Sequence, residues 1–429
     1  MTWDFKIDER WEAELDWMRN LVREELLPLD ALELTHDEAM RAVRPFQDRV
    51  KARGLWGTYL GPDLGGPGLG QVKLAMMHEI LGESELAPLA FGNQPPDSGN
   101  VELLAMAGTD EQKQRWMKPV YDGEVVSSFC MTEQGTGSDP TQHVTAARLV
   151  GDRWVVNGRK WFVANARRSM FQIVSCVTEP DADKHHRQSL IIVPTDTPGV
   201  HTRPIGTIDF PDHNGPLHEY CEIVYDDVRV PAENLLGSRG EAFILAQKRF
   251  GPGRVHHYMR WMGMARRALN AMIERSVSVS VHGSELSQKQ FIQDFIAKSA
   301  AELNAARLLG LHTAWRLDTV GALEARAEIG MLKYHGGEVL RDILDRTIQV
   351  HGSLGVSTDL PFARMYAYAR TARIYDGPDE VHKQTVARLL TRDVKPREIP
   401  SDSQPALRKR GLQLFPDALA ERSTVSVGN

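Results

Sequence analysis

Apolar positions recur at helical spacing through residues 1–126, where Trp11, Leu15, Met18 and Val22 share one face and Leu74, Met77 and Leu81 another. Between Ser127 and about Leu236 the period shortens. Two apolar-rich runs, Arg153 to Val156 and Arg159 to Ala164, flank Asn157-Gly158 and predict a hairpin, because both positions of such a tight turn need positive φ. Ser189 to Val193 predicts another strand, and the alternation from Glu219 to Val230 one more. From Glu241 to about Thr391 the helical period returns. Phe291, Phe295, Ile296, Ser299 and Leu303 form one face, and Ile329, Leu332, Val339 and Leu340 mark a further long helix. Long helices in series predict a bundle. The tail after Val394 carries Pro396, Pro400, Pro405 and Pro416, and reads as a disordered extension ahead of an arm lying on a neighbour.

The expected fold is therefore α+β and mostly α. A helical domain spans 1–126, a β-barrel-like domain 127–236, a four-helix bundle 237–394 and an extended or disordered tail 395–429.

Composition narrows the function classes. A net charge of -6 gives no electrostatic reason to expect a nucleic-acid partner. Cys130, Cys176 and Cys221 are far apart and fit no metal or disulfide spacing, so they read as reduced thiols. No apolar run is long enough to span a bilayer, and the acidic N-terminus (Asp4, Asp8, Glu9, Glu12, Glu14) does not resemble a targeting segment. The expected location is the cytoplasm.

Several motifs have a plain structural reading. Gly65 to Gly70 (GGPGLG) has the wrong spacing for a nucleotide loop and no preceding strand, so it reads as a connection between helices. His256 and His257 are adjacent, so they cannot face one metal from a single helix, and no metal site is expected. Two stretches carry more chemistry. In Phe129 to Asp139 (FCMTEQGTGSD) small residues let backbone N–H groups approach a flat or anionic ligand, while hydroxyls aim hydrogen bonds; a plain loop fits the composition equally well. In Arg373 to His382 (RIYDGPDEVH) Asp376 lies at a break in a helical pattern beside Tyr375. It is expected to be partly desolvated and raised in pKa, which suits a general base. Asp376 or Asp379 as the N-cap of the final helix is an equal reading on local chemistry.

Four motifs in order resemble the acyl-CoA dehydrogenase family. Phe129 to Asp139 is similar to its first signature, and Leu55 to Gly70 to its N-terminal glycine loop. Val228 to Gly237 (VRVPAENLLG) is similar to the end of its β domain, and Tyr375 to Val381 to the segment with its catalytic carboxylate. Gly251 to Arg260 and Asp376 to His382 resemble a branch that includes dehydrogenase domains fused to kinase-like modules in animals. That branch is associated with long or branched acyl-CoAs and with 4-hydroxyacyl-CoAs processed as phosphate esters.

The resemblance implies FAD-dependent α,β-desaturation of an acyl-CoA, with Asp376 removing the α proton and the β hydride passing to the flavin. The alternative base position of some members falls on Gly253. It also implies FAD contacts at Phe129, Met131, Thr132, Gly137, Ser138, Phe162, Ala164, Gln290, Pro378 and Glu380. Gln349 and Gly352 match residues that hold the FAD of a neighbouring subunit, so a homodimer or homotetramer is expected. Substrate contacts are implied at Ser138, Arg254, Tyr375 and Gly377, and an electron-transfer flavoprotein is the implied acceptor.

The departures are specific. Gln134 replaces a proline, Ser353 a glycine, Phe162 a tryptophan and Ala164 a hydroxyl residue. Val279 and His282 stand where the family has an Arg-x-x-Phe pair at the FAD pyrophosphate. Two other readings follow: an oxygen-using flavoenzyme on the same fold, suggested by Ala164, and a flavin-poor support subunit, suggested by Val279. Arg254, His256, His257 and Arg260 form a basic cluster at helical spacing. It reads as a phosphate holder for the acyl chain or as a solvated or subunit-facing stripe.

Overall fold

The structure is a computed structural model that describes residues 6–211 and 219–417. Helix starts follow local chemistry. The first helix, α1 (Glu9–Leu21), begins where the Asp8 carboxylate accepts from Trp11 N at 2.8 Å. Helix α2 (His36–Ala52) opens with a capping box, Thr35 Oγ1 accepting from Glu38 N and the Glu38 carboxylate from Thr35 N. The glycine-rich segment leads into α3 (Gln71–Leu81), whose first amides, Gln71 N and Val72 N, donate to the Asp318 carboxylate at 2.7 and 3.1 Å. Gly65 to Gly70 is thus a connection between helices, and a side chain of this protein already occupies that helix start. Helix α4 (Asp97–Ala107) follows.

The middle region is one eight-stranded sheet. Its strands are β1 (Val126–Cys130), β2 (Ala146–Val150), β3 (Arg153–Ala164), β4 (Ser169–Val177), β5 (Gln188–Pro194), β6 (Val200–Ile205), β7 (Tyr220–Pro231) and β8 (Leu235–Leu236). They run in the order β6-β7-β3-β2-β4-β5-β8, with β1 parallel to β4. The strands expected near Ser189 and Glu219 are β5 and β7. The expected Asn157-Gly158 turn is not a turn. β3 runs straight through it, and the hairpin closes at Gly151-Asp152, where Val150 pairs with Arg153. Asn157-Gly158 instead makes a bulge, the register against β7 slipping between Val156 and Gly158. A Cβ on Gly158 would lie 2.6 Å from Thr145 Oγ1, so the close strand approach needs the glycine.

The third region contains α5 (Ala242–Ser278), a short hairpin of β9 (Ser280–Val281) and β10 (Ser284–Glu285), α6 (Gln290–Glu324), α7 (Arg326–His351), α8 (Phe362–Ala372) and α9 (Asp379–Thr391). Its helices share one apolar core with the first region: Leu15, Met77, Leu81 and Phe91 are buried with Tyr258, Trp261, Leu303 and Leu340. Glycines bring α3 and α5 together closely, since a Cβ on Gly82 would fall 2.0 Å from Arg260 O and one on Gly263 1.8 Å from Glu79 O. Separate apolar clusters form within the sheet and between the sheet and α4.

The tail is not all extended. Gln404–Leu414 forms a helix, α10, capped where Ser403 Oγ accepts from Ala406 N. Its early Pro405 is compatible with a first helical turn, which the count of prolines obscured. Residues 418–429 lie outside the described residues. Among the described residues no helix is long and apolar enough to cross a membrane.

Candidate active site

Asp376 sits between α8 and α9 with φ of 54°, a left-handed conformation that Asp tolerates better than most residues. Gly377 follows at φ 96°, and a Cβ there would lie 2.8 Å from His382 Nε2. The Asp379 carboxylate accepts from Arg373 Nε at 2.6 Å, and the Asp376 carboxylate faces His257, with Nε2 3.6 Å from Oδ2. Neither carboxylate therefore caps α9 with a hydrogen bond to its first amides. The Asp376 main-chain carbonyl accepts from Arg254 Nε and from His382 Nε2, both at 3.2 Å. Tyr375 is tied inward, its hydroxyl accepting from Trp261 Nε1 at 3.0 Å and bonding Tyr368 at 2.8 Å.

The expected upward shift of Asp376 is reversed. Burial alone would push the carboxyl up, but His257, Arg254, Lys333 and Arg249 outweigh it and hold it below the usual carboxylate range. Burial and Arg260 push His257 itself down to about 3, so at neutral pH it faces Asp376 as an uncharged ring. The balancing charges are Arg254, Arg249 and Lys333. Lys333 is fully buried and donates to Ala372 O at 2.7 Å. Its ammonium lies 5.3 Å from the ring centroids of both Trp261 and Tyr375. Burial pushes it down to about 8, against the pull of Asp376 and Asp379.

The basic cluster is not a solvated stripe. α5 packs against α3, α6 and α7, which turns these residues inward. Arg260 donates from Nη1 to His78 Nδ1 at 3.1 Å and from Nη2 to His257 Nδ1 at 3.0 Å. His256 is buried, stacks on His78 with centroids 4.4 Å apart and meets Gln71 Oε1 at 3.1 Å.

The other cluster of sequence-expected residues lies on β1, its following loop and β3. Trp161 N donates to Thr132 O at 3.0 Å, and Ser128 Oγ to Ala164 O at 2.9 Å, which joins the three pieces. Gly135 (φ 89°) and Gly137 (φ 55°) need their left-handed backbone, and a Cβ at either would meet nothing within 4 Å. Thr132, Gly137 and Ser138 are exposed, while Phe129 and Met131 are half-buried. Phe162, also at positive φ, is 47% exposed and edge-on to Trp161. The cradle is an open surface of backbone and hydroxyls beside aromatic rings, and these residues fit the flat, polar-edged ring system of a flavin. Arg249 links the two sites: its guanidinium lies 4.6 Å from the Phe129 ring centroid, and its charge acts on Asp376.

Gln290 begins α6, Gln349 lies in the last turn of α7, and Gly352 follows at φ 63°; all three are exposed on the helical part of the molecule, away from the β-domain cradle in sequence. Pro378 is half-buried before α9, and Glu380 is exposed in its first turn. Val279 ends α5, and its carbonyl accepts from Leu286 N at 2.8 Å; His282-Gly283, both at positive φ, turn the β9–β10 hairpin. Sequence reasoning missed Lys333, Arg249 and the buried pair Glu133–Lys160. The signal for the lysines was a lone cation inside an apolar period. Among the described residues no group of three metal-type side chains could hold a metal ion.

Three family descriptions match consecutive stretches of the chain: the acyl-CoA dehydrogenase N-terminal domain over residues 9–124, the middle domain over 128–228 and the C-terminal domain over 240–391. The chain belongs to the acyl-CoA dehydrogenase family. Its class is that of a flavoprotein oxidoreductase acting on acyl-CoA. The probable acyl-CoA dehydrogenase FadE2 of Mycobacterium tuberculosis is 41% identical over 372 residues, 83% of this chain and 90% of that protein. Acyl-CoA dehydrogenase family member 11 of Rattus norvegicus is 38% identical over 358 residues, 82% of this chain. The match spans only 45% of that longer relative. Among solved structures, a Mycobacterium abscessus protein assigned provisionally to acyl-CoA dehydrogenases gives a TM-score of 0.84 at 34% identity, covering 90% of this chain and 99% of that one. Glutaryl-coenzyme A dehydrogenase in complex with glutaryl-CoA gives 0.79 at 25% identity, with 92% and 98% covered. This acyl-CoA dehydrogenase fold accounts for the helix–sheet–helix order and for the β-domain cradle.

Proposed function

We propose that the chain desaturates an acyl-CoA thioester between Cα and Cβ, with Asp376 taking the α proton. One observation carries this reading: a half-buried carboxylate held in its ionised form by Arg254, Lys333 and Arg249, the last of which also spans to the Phe129 ring. Only an ionised carboxylate can accept a proton, and its left-handed backbone fixes where it points. Arg254 and His382 hold its carbonyl and so fix the Asp376–Gly377 peptide plane, while the Asp376 N–H, in the preceding peptide, would polarise a thioester carbonyl. Ser138, Arg254, Tyr375 and Gly377 would contact the acyl-CoA.

Phe129, Met131, Thr132, Gly137, Ser138, Phe162 and Ala164 would hold the flavin end of FAD. Gln290, Pro378 and Glu380 would add further contacts, and Gln349 and Gly352 would reach the FAD of a neighbouring subunit in a homo-oligomer. When bound, FAD supplies the acceptor for the β hydride. An electron-transfer flavoprotein then removes the electrons. The test is the visible spectrum of the purified oligomer with anaerobic addition of an acyl-CoA panel. Flavin absorbance that bleaches with at least one acyl-CoA supports the reading. A folded oligomer that stays colourless after reconstitution with FAD would favour a support subunit instead.

A further inference from the structure

We propose that Arg260 and His257 are positioning residues for Asp376: Arg260 locks His257 into the one neutral tautomer whose Nε2–H faces the Asp376 carboxylate. The inference rests on the reading of Asp376 as the base. It starts from an asymmetry of donors. A guanidinium has N–H groups and no acceptor, so each ring nitrogen it meets must be the bare one. Arg260 meets Nδ1 of His257 at 3.0 Å and Nδ1 of His78 at 3.1 Å. Both rings therefore carry their proton on Nε2. For His257 that proton points at Asp376 Oδ2, 3.6 Å away, within reach of a small rotation of either side chain.

Two consequences follow. His257 cannot compete for the α proton, since its lone pair is committed to Arg260 and burial with Arg260 keeps the ring neutral. It also orients the carboxylate through one oxygen and leaves the other for the substrate. The lock is itself anchored, because α3 and α5 meet backbone to backbone at Gly82 and Arg260. The same guanidinium grips His78 on α3, so the two helices hold it from both sides.

The other groups facing Asp376 are known from each element around it. They are Arg249 and Arg254 on α5, Lys333 on α7, Tyr220 on β7 and the adjacent Tyr375; Asp379 and His382 belong to α9, the latter bonded to the Asp376 carbonyl. The donor that meets His257 Nδ1 is Arg260, and the tautomer follows from that bond.

The experiment uses the FAD-loaded oligomer and two readouts. Histidine-selective ¹⁵N NMR, with the His257 signal assigned by its loss in His257→Gln, reads the tautomer without reference to turnover. The expected result is a bare Nδ1 and a protonated Nε2 from pH 5 to 9. Arg260→Met should free Nδ1, so that the ring populates both neutral tautomers and its pKa rises, with burial still holding it below the ordinary histidine range. The pH profile of kcat/KM is the second readout. Loss of a donor to the ionised carboxylate should move its acid limb up by about one pH unit in His257→Leu, a roughly ten-fold lower kcat/KM below the limb. His257→Gln keeps a donor and should keep the limb near its original place. A protonated Nδ1 in the parent enzyme would overturn the lock. An unmoved acid limb in His257→Leu, with flavin spectrum and melting intact, would overturn the positioning role. Retained activity in Asp376→Asn would remove the base and with it that role, while the NMR result would still report the lock.

Discussion

The Lys160 ammonium, wholly buried on β3, donates to the Glu133 carboxylate at 2.8 Å and to Met131 O at 2.9 Å. Glu133 also accepts from Val144 N and Thr145 N, so one carboxylate ties the cradle loop to β2 and β3. Burial pushes Glu133 up, but Lys160 and the amides hold it below the usual glutamate range. Removing one partner leaves the other charge buried alone. Lys160→Met should therefore cost about 3–5 kcal/mol of stability and loosen FAD, and adding Glu133→Gln should restore part of it. Denaturant unfolding with flavin release measures both. Equal melting of the single variant and the parent would contradict the account. Because the folded pKa is lowered, this stabilisation is present above the ordinary glutamate range and is lost as pH falls through the folded value.

A second prediction concerns buried acids of the opposite sign. Burial pushes Glu102 up to about 7, against the pull of Arg249. The folded form then holds a proton that the unfolded chain releases at lower pH. Its contribution is complete below the ordinary glutamate range, declines as pH rises, and is gone above about 7. Glu102→Gln should melt higher than the parent at pH 8 and close to it at pH 4. A melting difference independent of pH would show that Glu102 is not protonated in the folded chain.

Val279 yields a third. It follows α5, close in sequence to the His282-Gly283 turn, at a position where the family resemblance leads one to expect an arginine. Val279→Arg should tighten FAD by about ten-fold or more, since a hydrogen bond to a charged group contributes about 1.5–3 kcal/mol. Titration of apoprotein with FAD measures it. Unchanged affinity would mean that another group already meets the pyrophosphate.

The change of hydrophobic period made the helix–sheet–helix plan legible, because burial on one face imposes it locally. Asn157-Gly158 was misread for a physical reason: a bulge and a turn ask for the same backbone freedom, and only the partner strand β7 decides between them. Asp376 stood out at its Gly-Pro break, yet the direction of its shift did not, because its cations come from α5 and α7, distant in sequence. The inward face of Arg254 to Arg260 was hidden likewise, since a helix surrounded on three sides has no solvated stripe. Lys333 and Lys160 look like misplaced polar residues in an apolar pattern until the carbonyls and carboxylate that receive them are in view.

On the proposed function Asp376 takes the α proton. Asp376→Asn keeps the size of the side chain and removes only its ability to accept that proton. The decisive measurement is the rate of anaerobic flavin bleaching by the best acyl-CoA in this variant, with thermal melting and FAD content confirming an intact fold. A positioned base contributes about 10²–10⁴-fold, and a loss of that size or more is predicted, with Asp376→Glu retaining much of the activity. Near-normal bleaching in Asp376→Asn would contradict the account and place proton abstraction on another residue.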